Sequence, residues 1–338
     1  MELPIHVVIT EPLEKQILAH MQGISPRLDI HLFPAKHVED LPADVLESAE
    51  VLYTLQTVPQ PDQAPNLKWV QFHLAGLDRF ADHPLLNAGV QFTSLSGAAA
   101  PQMAEFVLLM LLALGHHLPE IQRAQNAHEW GSGRWERFSP RELRGSVVGI
   151  IGYGSVGREV ARLCRSFGAR ILAVKRDVTR PEDLGFTLPG FGDPEGRIPL
   201  RLYPPAALKR MLAECDFVVV SAPLHPGTLH LLNADAFAAM RPGAYLVNVA
   251  RGGIVQEEAL CEALINGRLA GAALDVTEQE PLPPDSPLWT APNLVLSPHI
   301  AGDSSAYERR AADVFMENLQ RYLEGRPLIN RFDPAIGY

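Results

Sequence analysis

VVGIIGYGSVGREVARLCRSFGARILAVKR, residues 147–176, is the stretch that decides the fold. Its first five residues, Val147-Val148-Gly149-Ile150-Ile151, are apolar enough for a central strand of a parallel sheet, buried on both faces. Gly152-x-Gly154-x-x-Gly157 follows at once, a helix is expected over 156–167, and a second apolar strand starts at Ile171. A GxGxxG pattern by itself is weak. Strand before and helix after supply the βαβ setting in which it binds a dinucleotide. Gly152 permits the tight turn, Gly154 lets the backbone approach a pyrophosphate, and Gly157 allows close packing of helix on strand. The N–H groups of Ser155 and Val156, with the helix dipole, favour phosphate oxygens.

On either side the same alternation continues. Strands are expected at 6–9, 28–32, 51–53 and 69–72 before the glycine loop, and at 217–220, 245–249, 272–274 and 294–296 after it. Helical patterns separate most of them, beginning with 11–21, and strands alternating with helices imply parallel βαβ units. The stretch 103–115 is apolar on almost every face and is expected to be deeply buried. Residues 131–145 look like a connection into a second unit. Residues 187–205, with Pro189, Pro194, Pro199, Pro204, Gly190, Gly192 and Gly196, read as a long surface excursion without strands. A last helix over 304–324 stops at Gly325, with Pro327 beyond. The tail from Leu328 to the end is expected to return to the first domain.

At 338 residues the chain is long enough for two domains. With 47% apolar and 20% charged residues it has ample core material. A net charge of −10 and a pI near 5.6 argue against nucleic acid or an anionic membrane as partner. No apolar run approaches the length of a membrane span. The opening MELPIHVVIT has no basic n-region and reads as a first strand. Cys164, Cys215 and Cys261 are scattered, form no CxxC and have no histidine at ligand spacing. Buried free thiols, a reduced cytoplasmic setting and no metal are expected.

Downstream of the glycine loop, LVNVARGGIV, GAALDVTEQEPLP and LVLSPHIAG place Arg251, Asp275 with Glu280, and His299 just past three apolar strands. Ligands of open α/β sheets bind outside the carboxyl ends of the strands. Hydride transfer to a 2-oxo acid needs a cation that binds the carboxylate and polarises the carbonyl, which suits arginine. It needs an acid near neutrality to protonate the developing alkoxide, which suits histidine. It also needs a carboxylate to orient that histidine and favour its protonated form. Arg251, His299 and Glu280 fit these roles in order. Singly, each has a bland alternative: a surface ion pair, one structural histidine among twelve, a turn before Pro281. Their joint placement raises the catalytic reading.

These segments resemble the D-isomer-specific 2-hydroxyacid dehydrogenase family over essentially the whole chain, most closely from Gly145 to Gly302. The carrying motifs are Ala250-Arg251-Gly252-Gly253, a glutamate before proline 29 positions on (280 − 251 = 29), and Pro298-His299-Ile300-Ala301-Gly302. The resemblance implies an α/β protein of two Rossmann-like, flavodoxin-like parallel-sheet domains, the dinucleotide domain (100–296) inserted into the substrate domain (1–99 and 297–338). It implies an oxidoreductase of the CH–OH group, usually dimeric, moving hydride between NAD(P)H and a small 2-oxo or 2-hydroxy acid in the manner of a glyoxylate or hydroxypyruvate reductase. It further implies that amides of Ala75 and Gly76 hold the substrate carboxylate beside Arg251 and His299. Asp275 would receive the nicotinamide carboxamide, and Ala222, Pro223, Val249, Ala250 and Gly302 would line the cofactor.

Two departures from the family pattern stand out. The aspartate that usually ends the second strand of NAD-preferring members is replaced by Lys175 and Arg176, which favours NADP while leaving NAD open. Leu74 stands where a glycine is usual. The excursion 187–205 is longer than is common. Alternatives are a dehydrogenase of formate or phosphite within the same family, and a non-catalytic, dinucleotide-sensing corepressor; intact Arg251, Glu280 and His299 weigh against the latter.

Overall fold

The β-branched runs form strands that all lie parallel to their neighbours, in two sheets. The structure, a computed structural model, describes residues 3–334. Two compact units divide the chain, Met1–Ala99 with Ser304–Tyr338 and Ala100–Asp303.

The first unit holds β1 (Ile5–Ile9), β2 (Leu28–Leu32), β3 (Val51–Thr54), β4 (Trp69–Phe72) and β5 (Gln91–Thr93), in the order β2-β1-β3-β4-β5. Side chains alternate across the sheet. Val7, Ile9, Val51, Tyr53 and Trp69 pack on Phe315 and Leu319 of the helix Tyr307–Leu323, and Val8, Leu52, Val70, Phe72 and Phe92 form the opposite core. The tail returns to this unit through Phe332 N–H donating to the Phe92 carbonyl. Residues 335–338 lie outside the described ones.

The second unit holds β6 (Val147–Ile151), β7 (Arg170–Val174), β8 (Arg201–Tyr203), β9 (Phe217–Val220), β10 (Ala244–Asn248), β11 (Leu269–Leu274) and β12 (Leu294–Leu296). Their order is β12-β11-β10-β9-β6-β7-β8. The chain winds outward from β6 to β8, then returns to lay β9 against the other side of β6. That reversal between β6 and β9 is the switch point at which open α/β sheets take their ligands.

Four expectations need correction. The first helix is Lys15–Gln22, not 11–21, since Pro12 disfavours helical backbone before it. The helix Ala100–Gly115 is not buried all round: Ala104, Val107, Leu111 and Leu114 face the core, while Leu109 is 55% exposed. The unit boundary falls at 303/304, not at 296/297, because the Asp275 carboxylate holds the amides of Ile300 and Ala301. And the excursion contains a strand, β8, which pairs with β7 from Leu172↔Arg201 to Val174↔Tyr203.

The rest of the excursion is tied down by charge. Arg158, on the helix Ser155–Ser166, is 1% exposed. Its guanidinium donates to the carbonyls of Asp193 and Pro181, lies 3.3 Å from the Asp183 carboxylate, and sits 4.6 Å from the centre of the Tyr153 ring. Tyr153 donates its hydroxyl to Asp193 at 2.6 Å, and Glu159 accepts from the Gly192 amide. Burial works against the Asp193 charge, but the hydrogen bonds from Tyr153 and the Ile198 and Arg197 amides hold its carboxyl below the ordinary value. Asp193 therefore contributes stability above its unfolded pKa that is lost as pH falls through the lower folded value. Arg158→Met strands these partners in the interior and is expected to cost about 3 kcal/mol, as for other broken buried pairs. Urea unfolding checks this, and a loss under about 1 kcal/mol would assign the excursion's order to its own turns.

Candidate active site

At the end of β6 the backbone turns at Gly152, whose φ is 95°. A β-carbon there would lie 2.5 Å from the Ala222 nitrogen, so the loop is glycine because β9's end passes against it. A β-carbon on Gly157 would lie 2.2 Å from the Gly152 carbonyl oxygen, whereas one on Gly154 meets nothing within 4 Å. Two glycines are thus demanded by the protein's own packing, and the third faces open space. The helix begins at Ser155 with Gly154 before it and no acidic residue in its first turn. Its first amides have no partner within the helix. A diphosphate fits this cradle, with the amides of Ser155 and Val156 as donors.

At the end of β7, the Lys175 ammonium donates to the backbone carbonyls of Asp177 and Arg180. Burial, then the nearby Arg158, pushes its pKa down. Its charge is spent on the turn that opens the excursion. The Asp177 carboxylate accepts from the Thr179 amide and hydroxyl. Arg176 is exposed.

Arg251 follows β10, Asp275 follows β11 and His299 follows β12, and the register Asn248↔Leu274 and Leu274↔Leu296 brings the three strand ends level. Asn248, fully buried, shapes the first turn: its amide donates to the Arg251 carbonyl at 3.0 Å and its oxygen accepts from the Ala250 amide at 3.0 Å. Arg251 donates to the Ala250 carbonyl. Gly252 then lies against the next loop, where a β-carbon would fall 2.0 Å from the Thr277 carbonyl carbon. The Thr277 amide in turn donates to Glu280 Oε1.

Glu280 Oε2 lies 2.7 Å from His299 Nδ1, both side chains partly exposed. His299 has φ of 55°, in the left-handed region that non-glycine residues seldom adopt. Asp275 holds it there. Its carbonyl accepts from the His299 amide at 2.8 Å, and its carboxylate accepts from the Ser297 hydroxyl and the amides of Ile300 and Ala301. Asp275, expected as a cofactor contact, is thus also the clamp of the histidine loop. Ala222, Val249 and Ala250 are buried and Pro223 partly so, all following β9 or β10, while the Gly302 carbonyl accepts from Gln102.

In the first unit, Ala75 and Gly76 follow β4, and among the described residues their amides donate to no protein acceptor. Leu74 packs into the core beneath them. Sequence reasoning missed Asn248, Ser297 and the Arg158–Asp193 pair. Asn248, a polar residue at the end of the run Tyr245-Leu246-Val247, carried a signal; the others did not.

Residues 108–301 match the family described as D-isomer specific 2-hydroxyacid dehydrogenase, NAD binding domain. The chain belongs to that family. As a D-isomer-specific 2-hydroxyacid dehydrogenase it is an oxidoreductase that moves hydride between a nicotinamide dinucleotide and a small 2-hydroxy or 2-oxo acid. A glyoxylate reductase of Thermofilum pendens is 34% identical over 78% of this dehydrogenase and 74% of its own length. A hydroxypyruvate reductase of Thermotoga maritima is 29% identical over 94% and 90%. The dehydrogenase also resembles the crystal structure of a D-isomer specific 2-hydroxyacid dehydrogenase from Xanthobacter autotrophicus Py2 in complex with NADPH and MES. The TM-score is 0.79 at 30% identity, covering 99% and 100% of the two chains.

Proposed function

We propose that this dehydrogenase works as a reductase of short 2-oxo acids of the glyoxylate and hydroxypyruvate kind, and that it prefers NADPH to NADH. The observation that carries the catalytic reading is the 2.7 Å contact between His299 Nδ1 and Glu280 Oε2 at the strand ends. Bound at the glycine loop of the unit Ala100–Asp303, the dinucleotide supplies the hydride. Arg251 takes the substrate carboxylate with its forked donors and draws electron density from the 2-oxo group. In the first unit the amides of Ala75 and Gly76 are assigned, on the family resemblance, as substrate donors. With Nδ1 turned to Glu280, His299 presents Nε2 to the substrate. It gives a proton to the oxygen as hydride arrives at carbon, and the carbonyl becomes a hydroxyl. Glu280 compensates the imidazolium charge and fixes the ring. Ala222, Pro223, Val249, Ala250, Asp275 and Gly302 line the nicotinamide side.

The NADPH preference rests on the end of β7. A carboxylate there would repel a 2′-phosphate, and the position is occupied by Lys175 and Arg176. Two of the three Lys175 donors go to the Asp177 and Arg180 carbonyls, and Arg176, whose guanidinium can make a forked contact, is the residue assigned to grip the phosphate. The relative crystallised with NADPH supports the same choice. The test is a panel of glyoxylate, hydroxypyruvate, pyruvate and longer 2-oxo acids with each reduced cofactor. We expect the shortest acids to be best and NADPH to be favoured. Arg176→Ala should lower kcat/KM for NADPH by about 10-fold or more, the worth of one charge-assisted hydrogen bond, with NADH little changed. A wild type that favours NADH, with a ratio Arg176→Ala does not move, would contradict the assignment.

The exposed apolar side chains of Leu109, Leu118 and Ile121, with half-buried Phe106 and Met110 beside them, support a homodimer in which a second copy covers this face. The three buried free thiols support a cytoplasmic setting. Among the described residues no single helix is long and apolar enough to cross a membrane. The net charge of −10 supports a working life without nucleic acid or an anionic membrane as partner.

A further inference from the structure

On the sheet of the first unit three side chains converge where the fold needs none of them. His6 of β1 and Asp29 of β2 are register partners, and His31 lies two residues further along β2 on the same face. His6 Nδ1 is 3.0 Å and His31 Nε2 is 2.9 Å from Asp29 Oδ2. Both rings thus aim at one carboxylate oxygen. The two imidazoles are stacked, with centroids 6.3 Å apart. The side chains are 37–46% exposed, so an ion can enter and keep water on its open positions. We propose that this cluster is a Zn2+ site, with His6 Nδ1, His31 Nε2 and Asp29 Oδ2 as protein ligands, which ties the edge strand β2 to β1.

The geometry argues for a metal as follows. Zn–N and Zn–O bonds are about 2.0–2.2 Å, so ligand atoms at tetrahedral angles around zinc stand about 3.3–3.6 Å apart. The contacts of 2.9 and 3.0 Å are those of hydrogen bonds between the empty ligands, and all three ligand atoms lie within 4.8 Å of one another, so these exposed side chains reach the zinc spacing by a small opening. The ligands sit on paired strands, so the backbone ladder sets their spacing and no loop must be ordered to assemble them. Two imidazoles and a carboxylate suit Zn2+ better than Mg2+ or Ca2+, which prefer oxygen donors. On binding, each ring offers a lone pair at the nitrogen that now faces Asp29, and the proton held there moves to the other ring nitrogen or to water. Coordination leaves every oxidation state unchanged. The sequence carries no cue to this cluster, because its histidines are far apart and no cysteine accompanies them. His6 and His31 are brought together only by strand pairing.

The experiment is titration of Zn2+ into the full-length, tag-free, EDTA-dialysed protein, followed by calorimetry and by thermal unfolding. We expect one site per chain that disappears in His31→Ala. We also expect binding at least about 10-fold weaker in Asp29→Asn and a rise in Tm with Zn2+ in the wild type that is lost in His31→Ala. His37→Ala, an exposed histidine outside the cluster, should bind as wild type does. Turnover of 2-oxo acids should be the same with Zn2+ or EDTA, because none of the three residues belongs to the reaction. Absence of saturable binding, or binding of equal strength in His31→Ala and Asp29→Asn, would overturn the proposal.

Discussion

His299→Ala is expected to lower kcat/KM for the best 2-oxo acid by at least about 100-fold, the lower range for loss of a general acid, while the protein still binds reduced cofactor. The expectation follows from where the ring stands. Its backbone is held at φ of 55° by the Asp275 carbonyl and carboxylate, and its Nδ1 is held by Glu280. A histidine kept in that conformation by three separate contacts is placed for a purpose. Arg251→Lys should fail to a similar degree, since an ammonium cannot make a forked contact with a carboxylate. Glu280→Gln keeps the shape of the pair but removes its charge. Its kcat should fall by about 10-fold or more, since the neutral amide no longer offsets the imidazolium charge. Near-normal rates in His299→Ala would remove the histidine from the reaction. An unchanged kcat in Glu280→Gln would remove the glutamate.

Gly252→Ala should be nearly as damaging, through the backbone alone. Its β-carbon would fall 2.0 Å from the carbonyl carbon and oxygen of Thr277 and 2.4 Å from the Glu278 nitrogen. These are backbone atoms, so no rotamer change relieves the clash. Either the Arg251 turn or the loop that carries Glu280 has to move. Misplacement of a reacting group by about 1 Å costs on the order of 100-fold in rate. Gly253→Ala is the control, for its β-carbon would meet only the ends of the Leu229 and Leu224 side chains, at 3.4 Å and beyond. The expected outcome is a large fall in kcat/KM, or failure to fold, for Gly252→Ala, with near wild-type rates for Gly253→Ala. Equal activities in the two variants would show that the two loops are not mutually braced.

The strands that carry the site were legible because they are buried on both faces, and burial enforces the apolar, β-branched runs of β6, β9 and β10. The segment Arg201–Tyr203 was not, since an edge strand of three residues beside prolines has no such constraint. Arg158 and Asp193 were invisible for another reason. Asp193 sits in a Gly-Asp-Pro turn that looks like surface, and its partner is 35 residues away. The all-apolar face of Ala100–Gly115 was misread as core because hydrophobicity does not say what covers it; Leu109 is exposed in the single chain. Arg251, Glu280 and His299 could be singled out because each stands just past a strand end, but the clamp that Asp275 forms on the histidine loop could not. It needs the carboxylate of one strand end to meet the amides of the next.

The central claim is reduction of a 2-oxo acid to the D-hydroxy acid, and chiral analysis of the product tests it most directly. The wild-type protein would be incubated with hydroxypyruvate or pyruvate and each reduced nicotinamide cofactor in turn, and the hydroxy acid formed resolved into its enantiomers. The account predicts turnover with at least one cofactor and a product that is entirely the D isomer. An L product, or no reduction of any 2-oxo acid in the panel, would contradict it.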